Sequence, residues 1–433
     1  MSITRSGSMV ALAASVAAIG AASAAAAPGP AASAVRATLP LMVIDTERRI
    51  VDDPKVTARM RVIDRGPGRV NRPGQRATGY DGRIGIEIRG TSSMAYPKKQ
   101  YSIETRTATG RNRSVRLLGL PKENDWVLQG PYGDKTLMRN VVAYATARGL
   151  GAYASRTRYV EVVVNRDYRG VFVLMETPKI DTRRVAARDD DVTGGYLLEM
   201  TDRYKLKRGD QSFASSTGQA LVHTDPEPKE MGPARTRWIR GHLAAFESAL
   251  YGPSFADPSR GWRAYLDEPS AVDVVLINEL FKNEDAFRSS LFVHKSSGIK
   301  LRLGPVWDFD VAMGNSSYGD SQRLEGWITT GRPWASRLLQ DPAFVEALIQ
   351  RWQQLRAGGL QGQLLRRVDA SVRTLGSAPA RNFRRWPILG VPVWPNPLDP
   401  VTGRSYAAEV EFLRSWLTAR IAWIDANLAG LRR

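Results

Sequence analysis

The stretch Asn278–Asp310, NELFKNEDAFRSSLFVHKSSGIKLRLGPVWDFD, decides how the chain is read, because of the way it spaces its acidic residues. SSLFVHK and KLRLGPVW read as two strands around a turn at Ser297-Gly298. Asp285 precedes this hairpin, and Asp308 and Asp310 follow it at once. Phosphoryl transfer calls for one carboxylate beside the acceptor hydroxyl and another at a cation on the far side of the transferred group. A hairpin flanked by acids supplies both, so the spacing predicts a nucleotide bound through a metal.

A second constellation lies upstream, in RGTSSMAYPKKQYSIE, Arg89 to Glu104. A strand leads into Gly90, Thr91, Ser92 and Ser93, and another begins at Lys98-Lys99. Small residues let backbone N–H groups approach a phosphate, hydroxyls add donors, and a lysine on the next strand supplies a point charge. Alternation puts Lys99 on one face with Tyr101 and Lys98 on the other with Gln100, which leaves both lysines as candidates.

Around these two stretches the chain divides by periodicity. Residues 39–176 carry strand signals (LPLMVIDT, ARMRVIDR, RIGIEIRG, KQYSIET, YVEVVVN and GVFVLME), with NRDYRG predicted as a hairpin turn between the last two. One helix, residues 135–148 with Asp134 as its N-cap, interrupts them. Helical periodicity takes over from about residue 234, in RTRWIRGHLAAFESALYG, PSAVDVVLINELFKN, ASRLLQDPAFVEALIQRWQQLR, LQGQLLRRVDASVRTLG and AAEVEFLRSWLTARIAWIDANL. The polar segment 181–224 reads as a connection and surface loop, and residues 386–400 as a proline-rich wrap. The expected architecture is α+β with two lobes: a strand-rich N-lobe at 39–180 and a mainly helical C-lobe at 181–433.

Residues 1–27 combine a short n-region with one arginine, an alanine-rich apolar run and an A-x-A pattern at Ala25 and Ala27. They predict a signal peptide followed by a linker at 28–38, and a chain exported to the periplasm, surface or medium. No later stretch is apolar for long enough to span a bilayer, so no stable membrane insertion is expected. The absence of cysteine excludes disulfides and thiolate metal sites, leaving stability to core packing. A formal charge of +19 suits an acidic partner, but the arginines are scattered, with no basic stripe interleaved with aromatics, and nucleic acid is not expected. His223, His242 and His294 are isolated in sequence and make neither a zinc site nor a His-based triad.

Read in order, RGTSSMAYPKKQYSIE, LLGLPKENDWVLQGPYGDKTLMRNVVAYATARGLG, RYVEVVVNRDYRGVFVLMETPKID, GGYLLEMTD, NEDAFRSSLFVHK and GPVWDFDVAMGN resemble the successive blocks of the CotH spore-coat kinase family. The closing EVEFLRSWLTARIAWIDANL is similar as well, so the likeness runs from about residue 40 to 430. It implies an atypical protein-kinase-like fold, ATP with Mg2+ or Mn2+, and phosphorylation of Ser or Thr in secreted or surface proteins; apart from the resemblance, the charge of +19 allows acidic substrates among them, and a monomer is expected. By the same resemblance Asp285 takes the catalytic position, Asp308 the metal position with Asp310 as a second carboxylate, and Lys98 or Lys99 the phosphate contact. Glu176 stands either where such enzymes receive adenine or as a plain strand-end carboxylate. Arg139 and Asn140 either face the nucleotide or tie their helix to the sheet, and Asn278 and Glu279 are expected to shape the approach to Asp285. Ser290 departs from ordinary kinases, which carry a metal-binding asparagine at that offset from the catalytic aspartate.

Two other classes compete with a kinase: another ATP-dependent protein modification on the same fold, and a non-catalytic adhesive or polyanion-binding surface module. Lys98, Lys99, Asp285, Asp308 and Asp310 together favour the transferase.

Overall fold

The computed structural model describes residues 32–207, 209–397 and 404–432. The predicted signal peptide at 1–27 and residues 398–400 of the predicted wrap lie outside them. Seven strands close into a barrel: β1 (Leu41–Asp45), β2 (Val56–Ile63), β3 (Asp81–Arg89), β4 (Gln100–Arg106), β5 (Asp125–Gln129), β6 (Thr157–Val164) and β7 (Asp167–Glu176). Their order is β1-β2-β3-β4-β5-β7-β6, and a parallel β1–β6 pair completes the ring.

Alternating side chains explain the closure. Along β2, Val56, Ala58, Met60 and Val62 point inward while Thr57 and Arg59 are exposed. The inward set joins Met42, Ile44, Ile84, Ile86, Trp126 and Phe172 in a packed interior, so the barrel is a core rather than a pore. The NRDYRG turn forms as predicted, with Asn165 (φ 50°) and Arg166 (φ 66°) both left-handed, as a tight hairpin with matching twist requires.

A second sheet of five strands has the order β12-β11-β8-β10-β9. It consists of β8 (Tyr196–Thr201), β9 (Ser212–Ala214), β10 (Ala220–Asp225), β11 (Leu291–Lys295) and β12 (Arg302–Val306). Three of these strands fall in the segment predicted as connecting loop, which is thus corrected: YLLEMT is almost wholly buried against β11. The acid-flanked hairpin is the far edge of this sheet.

The helices are α1 (Arg139–Gly149), α2 (Pro233–Tyr251), α3 (Glu268–Phe281), α4 (Ala335–Leu338), α5 (Pro342–Ala357), α6 (Leu360–Leu375), α7 (Ala378–Arg385) and α8 (Tyr406–Asn427). Helix α1 begins four residues later than predicted. Asp134 spends its carboxylate on a turn, accepting from the Thr136 N–H (3.1 Å) and hydroxyl (2.6 Å) and from the Arg139 N–H (2.8 Å). The single helix predicted across 335–356 is two, divided where Asp341 caps α5 by accepting from the Ala343 N–H ahead of Pro342. Helix α3 is the central element, buried from Ala271 to Phe281 apart from Asp273, and it ends at Lys282 in the left-handed conformation (φ 44°). One core joins the outer face of the barrel, the second sheet and the helices, with members from Leu39 to Leu428. Its continuity holds the catalytic candidates of both halves in one frame.

Candidate active site

A cleft of about 430 Å³ opens between one end of the barrel and the second sheet. Arg89, the Gly90–Ser93 loop, Gln100, Ser102 and Met175 form its barrel wall, and Glu199, Thr201, Asp285, Asp308 and Asp310 face them. The fold therefore brings the two sequence constellations together.

Asp285 sits in the turn that follows α3, held by the Asn283 side chain, which accepts its N–H at 3.3 Å. Its carboxylate meets Lys205 Nζ at 3.3 Å and Arg288 Nη2 at 3.2 Å. Lys205 also donates to Ser289 Oγ at 2.6 Å. Burial works against the Lys205 charge most, but Asp285, Tyr204 and Asp308 together outweigh it and the ammonium pKa rises, so this lysine stays cationic in the cleft.

The Trp307–Asp310 segment is clamped by α1. The Asp308 N–H donates to Tyr144 Oη at 3.1 Å, and the Phe309 N–H to Asn140 Oδ1 at 2.7 Å. Trp307 stacks on Tyr144 with centroids 5.7 Å apart, while Phe309 meets Tyr144 edge-on and packs under Phe281. Asp308 is left-handed (φ 61°), a conformation that aspartate tolerates better than most residues. Burial raises the pKa of both Asp308 and Asp310, and repulsion from nearby carboxylates adds to it. A hydrogen bond between the two lowers Asp308 and raises Asp310. A crowded pair of oxygen ligands whose charged forms burial and mutual repulsion disfavour fits a hard divalent ion. Among the described residues no group of three or more His, Asp or Glu is close enough to hold a metal without help from other oxygens.

The predicted phosphate loop reaches the cleft, but its lysines do not. Gly90 adopts φ 113°, and a Cβ there would stand 2.0 Å from Ser93 Oγ, so this turn requires glycine. Lys98 Nζ is buried, donating to the Val171 carbonyl at 2.6 Å and to Asn382 Oδ1 at 2.9 Å, and burial drives its pKa well below the usual value. Lys99 Nζ donates to the Met94 carbonyl at 2.6 Å. Neither lines the cleft, whose cations are Arg89, over the Trp307 ring at 5.9 Å, and Lys205 with Lys207.

Glu176 is also away from the cleft. Its carboxylate is fully buried and bound by Arg156 Nη1 (2.8 Å), the Arg156 N–H (2.9 Å) and Tyr153 Oη (3.3 Å), which makes it the strand-end carboxylate of the two readings. Met175, beside it, lines the cleft instead. Arg139 ties α1 down through Asp134 at 2.6 Å, whereas Asn140 both lines the cleft and fixes Phe309. Asn278 bonds back within its helix to the Val274 carbonyl, and Glu279 pairs with Arg420, so neither shapes the approach to Asp285. Ser290 does line the cleft.

Sequence reasoning overlooked Glu199 and Lys205. Glu199 stands half-buried in the cleft, and burial raises its pKa to about 7, with Arg89 opposing and Asp308 adding. A lone acid inside the apolar run YLLEM was the readable signal. His223 also lines the cleft, and burial lowers its pKa. At the mouth, Trp394 is exposed and stacks on Tyr318 with centroids 6.2 Å apart, while Tyr96 Oη donates to its carbonyl at 2.7 Å.

No curated protein matches the sequence. Among solved structures, the chain is similar to HipA of Shewanella oneidensis MR-1, solved in a toxin–antitoxin complex with HipB and operator DNA. That likeness has a TM-score of 0.31 and 13% identity and covers 77% of this chain but 65% of the HipA chain. It is also similar to the proinflammatory kinase CtkA of Helicobacter pylori, with a TM-score of 0.26 and 9% identity, over 74% of this chain and 94% of that one. Residues 86–424, which hold every wall of the cleft, match the family described as CotH kinase protein, and the chain belongs to the CotH kinase family.

Proposed function

We propose that the chain is a two-lobed, ATP- and metal-dependent protein kinase that phosphorylates Ser or Thr of secreted or surface proteins, with residues 39–180 and 181–433 as its lobes. The observation that carries this reading is the meeting, in one cleft, of Asp285, the Asp308–Asp310 pair, Arg89 and Lys205. Export rests on residues 1–27. Among the described residues no helix is long and apolar enough to cross a membrane.

In this mechanism the acceptor hydroxyl lies against Asp285. As its oxygen bonds to the γ-phosphorus, the bond to the ADP oxygen breaks and the hydroxyl proton passes to the Asp285 carboxylate. Lys205, fixed between Asp285 and Ser289, keeps that carboxylate oriented and offers positive charge to the transferring group. Arg89 faces the same space from the barrel, and the Gly90–Ser93 loop supplies hydroxyls and close backbone to the phosphates. Asp308 and Asp310 would hold Mg2+ or Mn2+, which when bound offsets the charge of the phosphate oxygens.

The test combines two readouts on the full chain. ATP with Mn2+ should raise the melting temperature of the wild type and leave Asp308→Ala unmoved. Intact-mass spectrometry after incubation with an acceptor protein should then show the mass of one phosphate on that protein. A shift without any transferred mass would point to a binding module. An added nucleotide or amino acid would point to a different transfer chemistry.

A further inference from the structure

On the outer face of the barrel, three arginines stand side by side in register. Arg59 on β2 is the partner of Arg83 on β3, and Arg83 is the partner of Arg106 on β4. Neighbouring strands lie about 4.8 Å apart, and like charges set directly across a sheet repel, so this row costs the folded state. Its outer members are compensated: Arg59 by two parallel bonds to Asp81 (2.9 and 3.1 Å), and Arg106 by Glu104 at 2.7 Å. Arg83, in the middle, donates to the Ala108 carbonyl at 3.0 Å and has no ion pair among the described residues.

The surface around the row is shaped as a receptacle. Arg106 lies flat across β3 because residue 85 is glycine, where a Cβ would stand 2.5 Å from the guanidinium carbon. Arg48, Arg113 and Arg166, all exposed and without an ion pair among the described residues, rim the same hollow of about 1030 Å³. Its acids are Asp45, Glu47 and Asp81, so cations are in excess. The hollow is separate from the active-site cleft: β3 runs from Arg83 in one to Arg89 in the other, about 20 Å at ~3.3 Å per residue.

We propose that this hollow is a docking site for a run of acidic residues in a partner protein. The row spans about 10 Å, the reach of roughly three extended residues, so a short Asp/Glu segment covers it. Guanidinium forks take carboxylates by two parallel bonds, and Asp81 on Arg59 already shows that geometry here. The docking stands whether or not the cleft transfers phosphate. If the kinase reading holds and the partner is its substrate, the acidic run lies at least about six residues from the acceptor, the number needed to cover that distance.

The experiment measures fluorescence anisotropy of a labelled deca-glutamate peptide with the full chain at low salt. Wild type should bind saturably, and Arg83→Ala should weaken binding at least about tenfold, the loss of one charged hydrogen-bonded contact. The same variant should melt close to wild type, since relief of the like-charge row offsets the lost bond to the Ala108 carbonyl. Arg384→Ala, which removes an exposed arginine on α7, should bind as wild type. The proposal is overturned by unchanged binding in Arg83→Ala or by an equal loss in Arg384→Ala. It is equally overturned if polyphosphate of matched charge binds tenfold tighter than the peptide, which would make the occupant a phosphate polymer.

Discussion

Glu279 and Asp285 lie one helix end apart, each facing a cation, and their surroundings differ in kind. Glu279 and Arg420 are both buried, and every oxygen of the acid is occupied: it accepts from the Ile328 N–H (3.0 Å), the Thr329 N–H and hydroxyl (both 2.6 Å) and Arg420 Nη2 (3.0 Å). Asp285 and Lys205 keep some exposure, at 10% and 18% of their side chains, and face a cleft where Glu199, Asp308 and Asp310 crowd together. One pair is saturated and closed. The other is left with ligand-facing oxygens and repulsion that the fold does not relieve by itself. A charge that serves the fold is fully bonded, while a charge kept for a substrate is under-compensated until the substrate arrives.

The largest effect should come from breaking the closed pair. Arg420→Ala leaves Glu279 buried without its cation and should cost about 3–5 kcal/mol of stability by denaturant unfolding. Arg420 also donates to the Leu324 and Gly326 carbonyls, so the loop after the active-site segment should loosen with it. A loss under about 1 kcal/mol would show that the two pairs are alike after all.

Asp285→Asn attacks the open pair and should do the opposite. Phosphate transfer should fall by about 10²–10⁴-fold in single-turnover assays, the range for a positioned acid or base. Stability should stay within about 1 kcal/mol, because the residue borders the cleft and its loss eases repulsion on Asp308. The nucleotide-dependent thermal shift should survive. A variant that unfolds as Arg420→Ala does would move Asp285 to the structural side of the comparison.

Much of this contrast was legible in sequence, and the failures have particular causes. Periodicity located every barrel strand except β5, whose five residues DWVLQ are too short a run to announce themselves between polar flanks. It also located the long helices but not α7, an eight-residue helix rich in arginine that packs on β7. The acids flanking the hairpin met as expected because a hairpin is local: a few residues of turn return the chain to its start. The lysines did not, because alternation states which face a residue takes and not what waits there. Asn382, 284 residues downstream of Lys98, receives its ammonium. Lys205, which holds Asp285, comes from a polar segment with no period to read, and only the pairing of β8 with β11 brings it alongside.

Glu199 sharpens the comparison through pH. Its folded pKa of about 7 lies above the ordinary glutamate value, so between about pH 4.5 and pH 7 the folded state binds more protons than the unfolded one. Stability from this residue is therefore present at low pH and lost as pH rises through 7, the reverse of a salt-bridged carboxylate. Glu199→Gln should flatten that slope, raising stability at pH 8 by about 2 kcal/mol after allowance for partial exposure, with little change at pH 4.5. Melting curves of both proteins across this range read the difference directly. Equal slopes would mean that Arg89 and Lys205 already neutralise Glu199, and the cleft would be less under-compensated than its carboxylates suggest.

Asn140→Ala gives the smallest effect and separates clamping from chemistry. Asn140 accepts the buried Phe309 N–H at 2.7 Å, and removing it leaves that donor unmet for about 1–2 kcal/mol. The aromatic stack of Trp307 on Tyr144 still holds the segment, so the fold should persist. What should change is the fixity of Asp308 and Asp310, one residue to either side. The Mn2+ concentration needed for half the thermal shift should then rise several-fold, while Arg420→Ala, compared at equal distance below its own melting point, should leave that midpoint where it was. If both variants shift the midpoint alike, metal affinity follows general stability rather than the α1 clamp, and the line between the closed and the open charges would have to be drawn elsewhere.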